Sequence, residues 1–245
     1  MKIIAVANGK GGVGKTTTTA HVGVNLFQRG YFSAFLDTDP LLSLTDWWDL
    51  RESEDPQLIS CELSKLDAAI AQLEAAGVEY LLIDTPGFMS GQVNNLLKRA
   101  DLILMMSKAS PLDLRGTIRS LDFIEAQGVT QPMVFVLNEV RKGTKIENES
   151  ILSLSQFGKL APVVHYKDAF VSSMINGHVL EEIAKNDNPG IAQVDALTEY
   201  VLAQLGVKDP KPVVRDEPAP QAGAEVIDLA SKRGKKAKTS AKRKA

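Results

Sequence analysis

The chain has 245 residues, 44% hydrophobic and 24% charged, with 28 Lys and Arg against 30 Asp and Glu and a single cysteine. That is enough apolar material for one sizeable folded unit; Cys61 alone excludes an internal disulfide or a thiolate-held cluster, and no apolar run approaches the roughly 20 residues that span a bilayer. The first residues run straight into a strand pattern without the basic, apolar, small-residue order of a secretion signal, so the expected compartment is the cytoplasm.

Short apolar runs at 3–7, 33–36, 80–83, 102–106, 133–137 and 163–165 read as strands, with helix-like segments between most of them. This is the βαβ rhythm of an α/β fold, a doubly wound, mostly parallel sheet with helices on both faces. Between 113 and 127, Leu114, Ile118, Leu121 and Ile124 recur at helical spacing, with Asp113 placed to cap after Pro111. A last helix is expected over 191–205, with Ile191, Val194, Leu197, Val201 and Leu202 on one stripe and Gly206 as its stop. The predicted organisation is a folded domain over 1–206, a flexible linker over 207–230 holding Pro210, Pro212, Pro218 and Pro220, and a disordered basic tail over 231–245.

The run GKGGVGKTT at 9–17 directly follows the first strand and opens a helix. It fits G-x-x-x-x-G-K-[ST] through Gly9, Gly14, Lys15 and Thr16. The backbone of Gly11, Gly12, Val13 and Gly14, continuing into Thr16 and Thr17, would turn its N–H groups around phosphates at a helix N-terminus, with Lys15 reaching the β- and γ-phosphates. The same residues satisfy G-x-G-x-x-G, with Asp37 about where a ribose-binding carboxylate would sit, so a dinucleotide-dependent oxidoreductase is the rival. Lys15 and Thr16 favour a triphosphate: a pyrophosphate bridge needs no ammonium there, whereas a triphosphate with Mg²⁺ needs a cation and a hydroxyl ligand. Acidic residues end two strands, at Asp37-Thr38-Asp39-Pro40 and Asp84-Thr85-Pro86-Gly87; Asp84, after an apolar run, has the context of the carboxylate that holds Mg²⁺ opposite Thr16.

With Lys10 ahead of these glycines, and with D-x-D-P and I-D-T-P-G elements following in order, the chain resembles the deviant Walker A P-loop ATPases of the ParA/MinD superfamily over roughly residues 1–205. The small ParA partition ATPases look most similar, through Ser43-Leu44-Thr45 with Trp47 and through Ser110-Pro111-Leu112-Asp113. The resemblance implies ATP and Mg²⁺ as ligands and an ATP-bound homodimer in which Lys10 crosses to the partner's phosphates. It implies Lys10, Lys15 and Asp39 as catalytic residues, with Asp39 orienting the attacking water. Thr16 and Asp84 serve the metal, Asp37 supports either the metal or the loop geometry from behind, and Asn138 contacts adenine. Leu41 departs from the glutamine usual after D-x-D-P. Trp47 and Trp48 read as core aromatics, with an interface role as the alternative.

Charge segregates along the chain: eight basic side chains and no acids lie in 231–245, leaving 20 basic against 30 acidic, net −10, in 1–230. A basic arm on an acidic body points to an anionic partner, with a solubilising tail as the alternative. The resemblance implies non-specific DNA binding, for which Arg141, Lys142, Lys145, Lys167, Lys232, Arg233, Lys235 and Lys236 are candidates, a ParB-like adaptor, and a nucleoid-associated protein that segregates plasmid or chromosome DNA. Positioning of a protein cargo such as a chemoreceptor cluster or a carboxysome is the close alternative. A MinD-like division-site regulator would need an amphipathic membrane helix, and 231–245 contains no large apolar side chain, so no membrane partner is expected. The lone Cys61 excludes nitrogenase-type electron transfer, and a non-catalytic ATP-gated scaffold stays open.

Overall fold

Neighbouring side chains of the first strand, β1 (Lys2–Ala7), feed two different cores: Ile3, Ala5 and Ala7 enter one, Ile4 and Val6 the other. A strand buried on both faces must carry apolar residues continuously, and it lies inside a sheet covered by helices on both sides. The computed structural model, which describes residues 1–185 and 188–214, shows that arrangement. A seven-stranded sheet has the order β3-β2-β4-β1-β5-β6-β7, with every pairing parallel. The strands after β1 are β2 (Ser33–Asp37), β3 (Gln57–Ser60), β4 (Tyr80–Asp84), β5 (Leu102–Lys108), β6 (Met133–Asn138) and β7 (Lys159–Leu160).

One core packs the sheet against α3 (Leu66–Ala75), α4 (Gly91–Leu97), α5 (Pro111–Ala126) and α6 (Lys145–Ser155). The other packs it against α1 (Lys15–Gln28), α2 (Ser43–Trp48) and α9 (Pro189–Gln204). α1 approaches β2 so closely that a Cβ at Gly23 would lie 2.1 Å from Phe35. A small third cluster, Phe170, Leu180, Ile191 and Val194, joins α9 to α7 (Asp168–Met174) and α8 (Leu180–Ile183). Trp47 belongs to the core, edge-on to Phe35 at 6.0 Å, with its indole N–H donating to the His178 carbonyl at 3.1 Å. Among the described residues no helix is long and apolar enough to cross a membrane.

Four details depart from the sequence reading. The regular edge strand is Lys159–Leu160, not 163–165: after Ala161 N–H bonds Phe135 O, the next bond to β6 comes from Val164 N–H to Leu137 O, three residues on where two would keep the register, and 163–165 then join Val140 through an isolated bridge at His165. β3 escapes prediction because four residues with a single buried position carry too little apolar signal. The cap of α5 is Ser110, whose Oγ accepts the Asp113 N–H at 3.1 Å, so Asp113 sits inside the first turn. Folded structure also runs past 206: Val214 N–H donates to Gln28 O, Lys211 Nζ to Gly30 O, and Arg29 to Lys211 O, so residues 208–214 strap the C-terminal end of α1. That end offers unpaired carbonyls, and an extended proline-bearing segment is suited to answering them. Residues 215–245, including Lys232, Arg233, Lys235 and Lys236, lie outside the described residues.

Candidate functional site: a phosphate-binding loop at the carboxyl edge of the sheet

Every strand that bears a predicted site residue ends at the same edge, which is where parallel sheets bind ligands. From β1 the chain enters the glycine loop, with Gly12 at φ 74° and Gly14 at φ 93°, and Gly14 is the N-cap of α1. Only glycine takes these left-handed conformations without cost, and Gly14 is doubly required, because a Cβ there would lie 2.1 Å from Asn138 Nδ2. That amide nitrogen donates to Val13 O at 3.0 Å, so the end of β6 supports the loop from below. Asn8, fully buried, supports it from behind: it donates to Met106 O and Thr117 Oγ1 and accepts the Lys10 N–H at 2.9 Å. Asn8 has no place in the sequence reading, and only its position immediately before the glycines points to it.

Asp84, at the end of β4, is flanked across the sheet by Val6 and Asp37. Its Oδ2 accepts the Thr16 hydroxyl at 2.6 Å, while Oδ1 is buried with no hydrogen-bond partner among the described residues. Burial, with the charges of Asp37 and Asp39, pushes this carboxyl up to about 7 against the pull of Thr16 and Lys15. An orphaned carboxylate oxygen beside a hydroxyl is a fit for a divalent cation, and Thr16 with Asp84 are the residues that would hold it. Lys15 is 7% exposed; burial holds its ammonium below the usual range, partly offset by Asp84 and Asp39. Gly87 lies against this head, since a Cβ on it would come 3.8 Å from Lys15 Nζ and 3.5 Å from Gly11 Cα.

Asp37 has a different task. Its Oδ1 accepts the Asp39 N–H at 3.0 Å, and its Oδ2 accepts both the N–H and the hydroxyl of Thr45 at 2.9 Å. Both oxygens therefore shape the loop between β2 and α2, despite burial that raises this carboxyl; of the two roles read for Asp37, the geometry favours loop support over metal contact. Within that loop Leu42 is held at φ 54°, a left-handed strain on the order of 1 kcal/mol for a branched side chain. Asp39 stands partly exposed at the mouth, its Oδ1 accepting the Leu41 N–H at 2.9 Å, and the Leu41 side chain is 78% exposed.

A cleft beside the loop is lined by Thr17, Thr18 and Asn138 on one side and by Tyr166, Phe170 and Val171 on the other. At its floor His21 is fully buried: its Nδ1 faces Thr17 O at 2.8 Å and its Nε2 accepts the Leu180 N–H at 3.3 Å. Burial holds this imidazole down to about 4, so it is a neutral structural link between α1 and α8. Of the predicted basic residues, Arg141, Lys142 and Lys167 line a second, polar cleft with His165 and Tyr166. Lys145 stands apart on α6, 90% exposed and paired with Glu149 at 3.2 Å.

A parallel sheet with a glycine loop capping the helix after its first strand, a lysine buried behind that loop and a threonine–aspartate pair beside it define a P-loop nucleotide-binding protein. The chain belongs to the CobQ/CobB/MinD/ParA nucleotide binding domain family, whose model matches residues 4–180. A relative, the maintenance of carboxysome distribution protein A of Halothiobacillus neapolitanus, is 23% identical over 207 residues, 81% of this chain and 95% of its own length. The protein ParA of Rhizobium radiobacter is 32% identical over 126 residues, 51% of this chain and 56% of its own. Among solved structures, the ATP complex of a Cyanothece McdA variant superposes with a TM-score of 0.66 at 18% identity, over 85% of this chain and 98% of that one, a likeness of fold alone.

Proposed function

We propose that the chain is an ATP hydrolase that dimerises around ATP and Mg²⁺, binds DNA without sequence preference and, with a ParB-like adaptor, positions plasmid or chromosome DNA. The observation that carries the nucleotide chemistry is the Thr16–Asp84 pair with its unpartnered Asp84 Oδ1, set beside Lys15 at the helix N-terminus. A dinucleotide would leave that buried carboxylate and ammonium without a task.

In this reading the loop N–H groups and Lys15 neutralise the β- and γ-phosphates. Thr16 and Asp84 would hold Mg²⁺, which would supply further charge neutralisation. Asp39, at the mouth, orients the attacking water; positioning suffices, because phosphoryl transfer draws mainly on geometry and electrostatics. The cleft between Asn138 and Phe170 takes the base, with the Asn138 carbonyl oxygen as a polar contact. Lys10, 42% exposed at the rim, delivers a second ammonium to the partner's nucleotide, which couples ATP to dimerisation. Arg141, Lys142 and Lys167 form the DNA-facing patch, a nucleoid location follows from it, and basal hydrolysis is weak until adaptor and DNA stimulate it.

A protein cargo is the second reading, favoured by the match to the carboxysome-distribution relative over 95% of that protein. The deciding experiment measures ATPase activity and dimerisation for wild type, Lys10→Ala and Asp39→Ala, each with and without DNA. Dimerisation lost in Lys10→Ala and turnover lost in Asp39→Ala are expected. Normal dimerisation of Lys10→Ala with ATP refutes the shared site, and NAD bound in preference to ATP refutes the nucleotide assignment.

A further inference from the structure

Lys10 is already engaged within its own protomer. Its backbone N–H is fixed by Asn8, which is itself tied to α5 through Thr117 and Ser120. Its stem passes over Gly116, where a Cβ would come 3.6 Å from Lys10 Cδ, and its ammonium forms an ion pair with Asp113 in the first turn of α5. The pair is asymmetric: the lysine side chain is 42% exposed and the aspartate 13%. The carboxylate is therefore the fixed seat and the ammonium the movable part.

We propose that Asp113 is a positioning residue for Lys10, a latch that holds its ammonium in cis until nucleotide and partner compete for it. This rests on the reading of Lys10 as a group that acts on the partner's nucleotide. One ammonium cannot neutralise Asp113 and a neighbouring triphosphate together, so every dimer formed must first open two such pairs. Opening is made easy by what remains. Ser110 Oγ still donates to Asp113 Oδ2 at 2.5 Å, the N-terminal turn of a 16-residue helix still favours an anion, and the ammonium of Lys108, at the end of β5, still acts on it. Burial pushes the Asp113 carboxyl up, but Lys10, Ser110 and Lys108 outweigh it and hold it below the usual carboxylate range, so the carboxylate stays charged and ready to recapture the lysine. Lys108 is in turn paired with Glu139 at 2.6 Å, and Glu139 lines the cleft assigned to the base. The latch thus stands next to the cleft through two further charges.

The test is the ATP concentration that half-maximally dimerises the full chain, followed by analytical ultracentrifugation in Mg²⁺ buffer for wild type, Asp113→Asn, Lys10→Ala and the double variant. Asp113→Asn is expected to lower that concentration about fivefold, the weight of a partly exposed ion pair. An unchanged or raised concentration overturns the latch. The double variant is expected to behave as Lys10→Ala; an effect of Asp113→Asn that persists without Lys10 overturns it too, because Asp113 would then act by another route. Should Asp113→Asn not fold, Asp113→Ser keeps a polar group in the same helical turn and carries the same comparison. Lys10→Ala that dimerises normally refutes the shared site itself, a result separable from failure of the latch.

Discussion

Asp84 holds a charge that the nucleotide-free protein would be more stable without. Its carboxyl stands at about 7 against 3.8 for the ordinary group, so the folded chain binds this proton more tightly than the unfolded one. Stability must therefore fall as pH rises between about 4 and about 7. Three units at about 1.36 kcal/mol each give on the order of 4 kcal/mol above pH 7. Asp84→Asn removes that penalty, but its amide brings a buried donor beside the orphaned Oδ1 position, at about 1–3 kcal/mol. The net expectation at pH 8 is a gain of about 2 kcal/mol, or about 4–8 °C in Tm for a chain of this size. At pH 4 the carboxyl is protonated in the wild type as well, and the gain disappears. His21 titrates in both proteins alike, so the difference in melting temperature between variant and wild type isolates Asp84. The assay is thermal unfolding at pH 4, 6 and 8, with and without Mg²⁺ and a triphosphate. The variant should melt higher at pH 8 without ligand and gain little from adding it. Equal destabilisation at every pH would refute the argument, since it would make Asp84 a structural hydrogen-bond acceptor rather than a strained charge.

His21 sets the opposite slope: with its imidazole held at about 4 against 6.5 in the unfolded chain, it costs stability as pH falls through that window, and His21→Phe should flatten the melting profile below pH 6.5 while losing about 1–3 kcal/mol at pH 7 from the unpaired Leu180 N–H. Gly14→Ala meets both the φ of 93° and the Asn138 amide, so nucleotide affinity measured with a fluorescent analogue should fall by at least about tenfold, on the order of 1.4 kcal/mol; affinity within twofold of wild type would mean the loop has room it does not show. Replacing Arg141, Lys142 and Lys167 with alanine should make the log–log salt dependence of DNA binding shallower by about 0.9 for each phosphate they cease to neutralise, read by fluorescence anisotropy against KCl, and an unchanged slope removes their cleft from the DNA-binding surface.

The glycine loop, the two acidic strand ends and the parallel sheet are legible because each is a local pattern: a spacing, an apolar run, a charge directly after it. What stays hidden depends on partners far apart in the chain. Nothing in the sequence shows that Asn8 braces the loop against Met106 and Thr117, nor that Thr45 occupies Asp37 Oδ2 with both its N–H and its hydroxyl. The strap at 208–214 reads as linker because prolines argue against helix, and they do; they do not argue against an extended segment pinned to Gln28 and Gly30. β3 is hidden for the converse reason, as an edge strand whose outer positions face water and carry no periodic signal.

Burial moves Lys15 and Asp84 in opposite directions, the ammonium down and the carboxyl up, so that each drifts toward its neutral form and only partly rescues the other. The free site is therefore reluctant to carry the charges its ligand needs. A divalent cation at Asp84 Oδ1 would expel a proton, and phosphates at Lys15 would retain one. Each event supplies the field the other group lacks, so cation and triphosphate should bind with positive coupling, and by linkage the coupling is the same whichever arrives first. Proton release on adding Mg²⁺ follows from the same electrostatics and should be largest below pH 7, where Asp84 is still protonated in the free protein. A site held this way stays weakly committed when empty and favours cation and triphosphate together over either alone.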